Sequence, residues 1–229
     1  TTQAPTLPWR NASLWLLAAA FLAVWLGTLG YRHLIPTDEG RYAEMAREMF
    51  ASGDLLTPRY NEDLRVTKPV FVYWLMTLSY HLFGVTEFAS RVPSALFGAA
   101  SALLVWRLGR ILYSPRVGFW AGVILATSLN YIVIARAATC DAELLFFCTL
   151  PLYVLVRRSA QTRLVPGESE PRLVWLDSDA CQPTTWSTWA LLYAAMGVAV
   201  MVKGPIGVVL PTAVLGLFLL MQQVARDST

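Results

Sequence analysis

The sequence predicts an all-α membrane protein: a polytopic helical bundle with about six transmembrane helices, plus two interfacial helices in its first outer loop. Composition is the first observation behind this, because 56% of the 229 residues are hydrophobic and only 14% are charged. A soluble domain carries about 25% charged residues. Long apolar runs recur along the chain, and a transmembrane helix needs roughly 20 such residues. Arginines are concentrated in some of the segments between these runs.

Six apolar runs are predicted to cross the membrane as one transmembrane domain. They cover about 13–33, 91–106, 117–135, 142–156, 186–202 and 206–222. We expect the first run to remain as an anchor, because residues 1–10 lack the basic lead and cleavage site of a signal peptide. A seventh run, 69–83, lies between Lys68 and Gly84 and is short for a span. It suits an interfacial or re-entrant helix.

The distribution of arginine decides whether the run 69–83 crosses the membrane. If it lies in the interface, the arginine clusters 107–116 and 157–172 both fall on the inner side, as the positive-inside rule requires. If it crosses, both clusters fall outside. We therefore expect an interfacial helix, a cytoplasmic N-terminus, an outer loop over 34–90 and an inner loop over 157–185. The inner loop shows no periodicity and is predicted to be a solvated connector.

The outer loop is predicted to contain two helices, over 38–52 and 69–83. Thr37 suits the N-cap of the first helix, with Asp38 and Glu39 in its first turn. Pro69 suits the first position of the second. The apolar residues of the first helix recur at helical spacing and indicate an amphipathic helix lying along the membrane: Tyr42, Met45, Ala46, Met49 and Phe50.

Charged residues from distant parts of the chain are predicted to meet on the outer face. They are Asp38, Arg41, Lys68, Arg136 and Asp141. Lys68 lies between two apolar helices and is suited to hold a phosphate as a point charge. Helix capping on a solvated face also explains Asp38 and Glu39, but the second acid, Asp141, on the same side favours a functional role.

These motifs resemble one family of enzymes. They are Asp38-Glu39-Gly40-Arg41-Tyr42 after the first span, Lys68-Pro69, Arg136 before Asp141, and Lys203-Gly204-Pro205. They are similar to the polytopic membrane glycosyltransferases of the protein O-mannosyltransferase type, which have the GT-C fold. Among these, the bacterial aminoarabinose transferases that modify lipid A are the nearest in pattern. The resemblance extends from Asp38 to about Pro211. Lys203 alone is also explained as a span end that reaches the surface.

The resemblance implies a substrate and roles for the matching residues. The donor would be a polyprenyl-phosphate sugar, and the acceptor a lipid or a protein on the outer face of the bacterial inner membrane, with inversion at the anomeric carbon. Asp38 would be the principal catalytic carboxylate and Asp141 a second active-site acid, while Arg41 and Lys68 would bind the donor phosphate. Beside these matched residues, we expect Glu39 to be a further catalytic acid and Tyr42 and Arg136 to bind substrate.

Two departures from the family pattern leave a second interpretation open. Close relatives often place a metal-binding Glu before the Lys-Pro pair, whereas this chain has Thr67, so we assign no metal site and no cofactor. The family also carries about twice as many spans and an outer C-terminal domain. The chain is therefore interpreted either as the N-terminal part of such an enzyme or as a short relative that keeps this half of the fold, a catalytically inactive membrane subunit of a larger complex. A transporter is disfavoured because the acids lie at span ends, and the lack of a lysine-rich run argues against nucleic-acid binding.

Overall fold

The computed structural model describes residues 12–35, 38–61, 63–66, 68–163, 172–175 and 186–227. The described chain is mostly helical. In chain order the helices are α1 (Ala12–Gly27), α2 (Glu39–Ser52), α3 (Phe71–Phe83), α4 (Glu87–Leu112), α5 (Pro115–Thr127), α6 (Leu129–Ala135), α7 (Asp141–Ser159), α8 (Trp186–Lys203) and α9 (Ile206–Asp227). Four short strands form two antiparallel pairs: β1 (Arg59–Tyr60) with β2 (Asp63–Leu64), and β3 (Ala160–Arg163) with β4 (Arg172–Trp175).

Length and composition qualify only some of these helices as membrane spans. Within the described residues, α4 and α8 are each long and apolar enough to cross a bilayer, and α5 with α6 makes a third if the bent pair counts as one span. The helical membrane architecture is therefore confirmed, while the count of six spans stays a prediction. The same holds for the assignment of each loop to one side of the membrane.

The predicted span 117–135 is not one continuous helix. It divides into α5 and α6, whose axes differ by 68°. Ser128 separates them with extended backbone angles, φ −64° and ψ 126°, which end the hydrogen-bond ladder of α5. Three polar residues, Thr127, Ser128 and Asn130, lie at this break, but apolar residues on both sides keep the whole stretch hydrophobic enough to be read as one span.

The helix that contains the predicted span 91–106 is longer than that span at both ends. Helix α4 has 26 residues and begins at Glu87. The Thr86 hydroxyl caps its start by accepting a hydrogen bond from the Ala89 backbone N–H at 3.1 Å, and Glu87 in the first turn suits the positive end of the helix dipole. The added turn, residues 87–90, directly precedes Arg91, which is buried and reaches back to Glu39 at the start of α2.

Helices α2 and α3 pack against each other, as their apolar faces predict. Gly53 ends α2 in the left-handed conformation, with φ 73°. The cluster between the two helices consists mainly of Met45, Ala46, Met49, Val72, Tyr73, Met76 and Tyr80, and it extends to Cys140 and Val202. Tyr80 also donates a hydrogen bond to the Ala43 carbonyl at 3.2 Å and contacts Ser90 Oγ at 2.9 Å. The α2–α3 layer is thereby attached to α4, to α8 and to the segment before α7.

The inner loop contains more regular structure than its sequence indicates. Helix α7 continues to Ser159, and the strands β3 and β4 pair directly after it, with Ala160 opposite Trp175. The solvated connector predicted for 157–185 therefore includes a short hairpin. Its remaining residues, 164–171 and 176–185, lie outside the described part of the chain.

Candidate active site

A cavity of about 400 Å³ opens where α2, α3, α7 and α8 converge. Eleven residues line it: Asp38, Arg41, Tyr42, Met45, Arg65, Lys68, Tyr73, Thr139, Cys140, Asp141 and Lys203. Five of the seven site residues predicted from the sequence are among them, and two are not. The structure thus brings together carboxylates that are about a hundred positions apart in the chain.

Asp38 stands at the N-terminus of α2 and faces Arg41 one turn further on. Arg41 Nη2 lies 2.5 Å from Asp38 Oδ1. The Asp38 carboxylate makes no capping hydrogen bond to the helix backbone, and both side chains are exposed to solvent. A carboxylate held by one guanidinium at a cavity wall keeps its other oxygen accessible to a ligand. Thr37, the N-cap predicted from the sequence, lies outside the described residues.

Asp141 forms the second ion pair of the cavity, with Lys203. Lys203 Nζ lies 2.5 Å from Asp141 Oδ1. Asp141 is the first residue of α7 and Lys203 the last of α8, so each group is delivered by a helix end. Gly204, with φ 82°, and Pro205 turn the chain sharply after Lys203. The sequence suggested a family motif or a span end for Lys203 but not its partner, because the pairing depends on how α7 and α8 pack.

The cavity carries more positive than negative charge. Its lining includes four cationic side chains and two carboxylates, and Arg41 and Lys203 are paired with those carboxylates. Among the described residues, no carboxylate pairs with Lys68, and Arg65 lies over the Tyr60 ring at 5.5 Å. An anion that enters this space would find two cations that have no carboxylate partner in the part of the chain that the structure describes.

Three proton-bearing side chains line the cavity between the charged groups. The Tyr42 hydroxyl contacts Cys140 Sγ at 3.7 Å, and burial followed by this contact raises the pKa of Tyr42 far above its usual value. Burial raises the pKa of Tyr73 to about 12 and also raises the pKa of the Cys140 thiol. All three groups therefore stay protonated at neutral pH and add no negative charge to a site suited to anions.

Glu39 is not among the residues that line the cavity, although it follows Asp38 directly. Its side chain is 3% exposed and accepts two hydrogen bonds from Arg91, each at 3.0 Å. Backbone N–H groups of Ile35 and Ala138 donate to it as well, each at 2.9 Å. Burial by itself raises the pKa of Glu39, but these donors outweigh burial and leave the pKa below its usual value.

The position of Glu39 joins three parts of the chain. Through Arg91 it connects the start of α2 to α4, and through Ala138 it connects both to the segment 136–140 that leads into α7. Asp38 directly precedes Glu39, and Asp141 directly follows the segment 136–140. Both cavity-lining carboxylates are therefore next to this junction in the chain. The geometry favours a structural role for Glu39, and its predicted catalytic role stays a prediction.

Arg136 also lies outside the lining of the cavity. It donates a hydrogen bond to Thr28 Oγ1 at the end of α1 and lies 5.8 Å from the centre of the Trp25 ring. These contacts attach α1 to the segment 136–140. Substrate binding by Arg136, as predicted from the sequence, has no cavity contact to support it.

The described residues do not assemble a metal site. No group of three or more His, Cys, Asp or Glu side chains lies close enough within this part of the chain to hold a metal ion. The two cavity carboxylates, Asp38 and Asp141, each face a cationic partner instead. Position 67, where the family pattern has a metal-binding Glu, is Thr and lies outside the described residues. We therefore derive no step that passes through a metal.

Comparison with known proteins identifies similar sequences among membrane transferases. Residues 67–165 match the family described as dolichyl-phosphate-mannose-protein mannosyltransferase. An undecaprenyl phosphate-alpha-4-amino-4-deoxy-L-arabinose arabinosyl transferase of Pectobacterium carotovorum is 32% identical over 199 residues, which are 86% of this chain and 32% of that protein. Transferase 2 of the same name from Proteus mirabilis is 29% identical over 205 residues, 87% of this chain and 33% of its own length.

Solved structures show the same relationship. The crystal structure of ArnT from Cupriavidus metallidurans in the apo state matches with a TM-score of 0.76 and 32% identity, covering 93% of this chain and 37% of that chain. The same values hold for ArnT from this organism bound to undecaprenyl phosphate. The chain thus spans about a third of the length of the proteins it matches.

Proposed function

We propose that this chain forms the donor-binding part of a membrane glycosyltransferase, proceeding from its confirmed similarity to the aminoarabinose transferase type. The enzyme would move a sugar from a polyprenyl-phosphate donor to a lipid or protein acceptor on the outer face of a bacterial inner membrane. One observation carries the proposal. The cavity holds two carboxylates beside an excess of cations, at the convergence of helices in a membrane protein.

The cationic side of the cavity suits the donor phosphate. Lys68 and Arg65 carry charge that no carboxylate among the described residues neutralises, and Arg41 also lines the cavity. Lysine holds phosphate as a point charge, and arginine can bind two of its oxygens at once. The polyprenyl chain would remain among the lipids, with the phosphate and its sugar in the cavity.

Transfer of the sugar needs a nucleophile and a stabilised leaving group. The acceptor oxygen attacks the anomeric carbon, and the bond from that carbon to the phosphate oxygen breaks, with the electron pair leaving on the phosphate. Lys68 and Arg41 stabilise the charge that develops there. For a hydroxyl acceptor, Asp38 takes the proton as general base. For a phosphate acceptor, which is already ionised, Asp38 orients the nucleophile instead.

The second carboxylate has a different environment and therefore a different role. Asp141 is neutralised by Lys203 at 2.5 Å and lines the cavity together with Asp38. We assign it to binding and orientation of the sugar through its second oxygen. An inactive membrane subunit, the alternative left open by the sequence, gains no support, because the relatives named above are transferases.

The experiment measures sugar transfer from a polyprenyl-phosphate donor in membranes that contain the Asp38→Asn variant. Loss of a general base lowers the rate about 100-fold or more. Asp63→Asn is the matched control, since Asp63 is exposed on β2 and does not line the cavity. Transfer at the normal rate by Asp38→Asn would show that the assignment is wrong.

A further inference from the structure

A buried hydroxyl lies between two groups that cannot both accept its hydrogen. Ser94 Oγ lies 3.0 Å from the Thr139 carbonyl oxygen and 3.0 Å from Glu143 Oε1. Ser94 and Glu143 are both 0% exposed. The other carboxyl oxygen, Glu143 Oε2, has no hydrogen-bond partner among the described residues. None of these three residues has a part in the transfer chemistry described above.

The hydrogen count of this cluster determines its protonation. A serine hydroxyl has one hydrogen to donate and lone pairs to accept. If Glu143 were ionised, one of the two 3.0 Å contacts would join two acceptors, and the buried charge would have at most one donor besides its own backbone N–H. If Glu143 is protonated, its O–H donates to Ser94 Oγ and the Ser94 O–H donates to the Thr139 carbonyl, so both contacts are hydrogen bonds.

Glu39 shows which hydrogen-bond donors surround an ionised buried carboxylate in this protein. Glu39 has a bidentate guanidinium from Arg91 and two backbone N–H donors. Glu143 has neither an ion pair nor a backbone donor from another element among the described residues. An unpaired buried charge is far costlier than a neutral, hydrogen-bonded acid.

We propose that Glu143 is a positioning residue that acts as a neutral carboxylic acid, holding the Thr139 carbonyl through Ser94 and thereby placing Asp141 at the cavity. The positioning role of Glu143 rests on the proposed function, because the placement of Asp141 affects activity only if the cavity binds the donor sugar. The protonation and the hydrogen-bond chain themselves do not depend on it.

Two side chains hold the segment 136–140 through its backbone, one at an N–H group and one at a carbonyl group. Glu39 accepts from the Ala138 N–H, and Ser94, backed by Glu143, donates to the Thr139 carbonyl. Two adjacent residues of the segment are thus fixed, one by an ionised carboxylate and one by a neutral acid. Asp141 follows Thr139 by two positions. A displacement of Thr139 would therefore move the Asp141 carboxylate relative to Lys203 and Asp38.

The first measurement detects the proton directly. Infrared spectra of the purified protein at neutral pH should contain the C=O stretch of a protonated carboxylic acid, and that band should be missing from Glu143→Gln. Ser94→Ala should shift the band, because the acid loses its acceptor. This readout needs no transferase activity, so it decides the protonation even if the proposed function fails. Absence of the band from the wild type would overturn the proposal.

The second measurement tests the positioning role through sugar transfer. Glutamine keeps an N–H donor for Ser94, so Glu143→Gln should transfer sugar within about threefold of the wild type. Ser94→Ala removes the link to Thr139 and should lower kcat about tenfold or more, as small misplacements of reacting groups do, with a smaller change in KM for the donor. If Glu143→Gln folds with an unchanged melting temperature and yet loses transfer, Glu143 works as a charged group and the proposal is wrong.

Discussion

Lys203 Nζ and Asp141 Oδ1 lie 2.5 Å apart, although 62 positions of sequence separate the two residues. The pair joins the end of α8 to the start of α7 at the wall of the cavity. Both side chains are partly exposed, at 31% and 42%, and exposed ion pairs stabilise proteins by at most about 1 kcal/mol. The pair therefore matters more for the charge and shape of the cavity than for the stability of the fold.

Replacing Lys203 should separate the effect of this ion pair on the cavity from its effect on the stability of the fold. Lys203→Met keeps much of the side-chain volume but leaves Asp141 without its cation, which lowers the affinity of the cavity for anions and frees the carboxylate to move. We expect sugar transfer to fall about tenfold or more, as it does when an electrostatic partner is lost, with a change in unfolding free energy of about 1 kcal/mol or less. Lys203→Arg should retain part of the activity. A large loss of stability with normal transfer would contradict this interpretation.

Lys68 should contribute to the binding of the lipid phosphate. A charge-assisted hydrogen bond is worth about 1.5–3 kcal/mol, so Lys68→Ala should weaken binding of undecaprenyl phosphate about 10-fold to 100-fold, measured by titration in detergent. Arg59→Ala is the matched control, because Arg59 is exposed on β1 and is not part of the lining. Equal affinity in wild type and Lys68→Ala would remove Lys68 from the phosphate site.

Removing the Glu39 carboxylate should destabilise the protein strongly. Glu39→Ala leaves Arg91 buried without its counter-ion, and breaking a buried pair on one side costs about 3–5 kcal/mol. Glu44→Ala is the control, because Glu44 pairs with Arg47 at 2.6 Å on the more open face of α2, where the expected loss is about 1 kcal/mol or less. Chemical unfolding in detergent measures both. Similar losses in the two variants would show that the Glu39–Arg91 pair is not a main support of the fold.

The same carboxylate should make stability depend on acid. The hydrogen bonds from Arg91 and the backbone hold the pKa of Glu39 in the folded protein below its usual value, which is about 4.3 in an unfolded chain. The stabilisation by Glu39 is therefore complete above that unfolded value and is lost as pH falls through the lower folded pKa. Melting temperatures measured from neutral to acidic pH should drop less steeply in Glu39→Gln than in the wild type. Parallel curves would contradict the shift.

Several features of the site were predictable from sequence alone. Helix α2 was expected over 38–52 and is found at Glu39–Ser52, because the spacing of its apolar residues and the stop at Gly53 are local signals. The convergence of Asp38, Arg41, Lys68 and Asp141 was inferred from the order of apolar runs and the distribution of arginine. All four line one cavity.

The remaining features had no local signal strong enough to decide them. Thr127, Ser128 and Asn130 form only a short polar interruption between apolar residues, so the break between α5 and α6 was missed. Arg91 looked like the polar start of a span, yet it is buried in α4 and paired with Glu39, 52 positions away. Arg136 was expected in the substrate site but contacts Thr28 and Trp25 instead. Each of these features depends on which helices pack against each other in the folded protein.

By itself the sequence determined that this is a helical membrane protein, because apolar length and helical periodicity are local properties of the chain. The asymmetry of arginine added the prediction that a charged group gathers on one side. Only the tertiary structure decided which charge serves which purpose. Asp38 and Glu39 are neighbours in the chain, but successive residues of a helix point about 100° apart. One carboxylate therefore lines the cavity, while the other is buried against Arg91 and supports the fold.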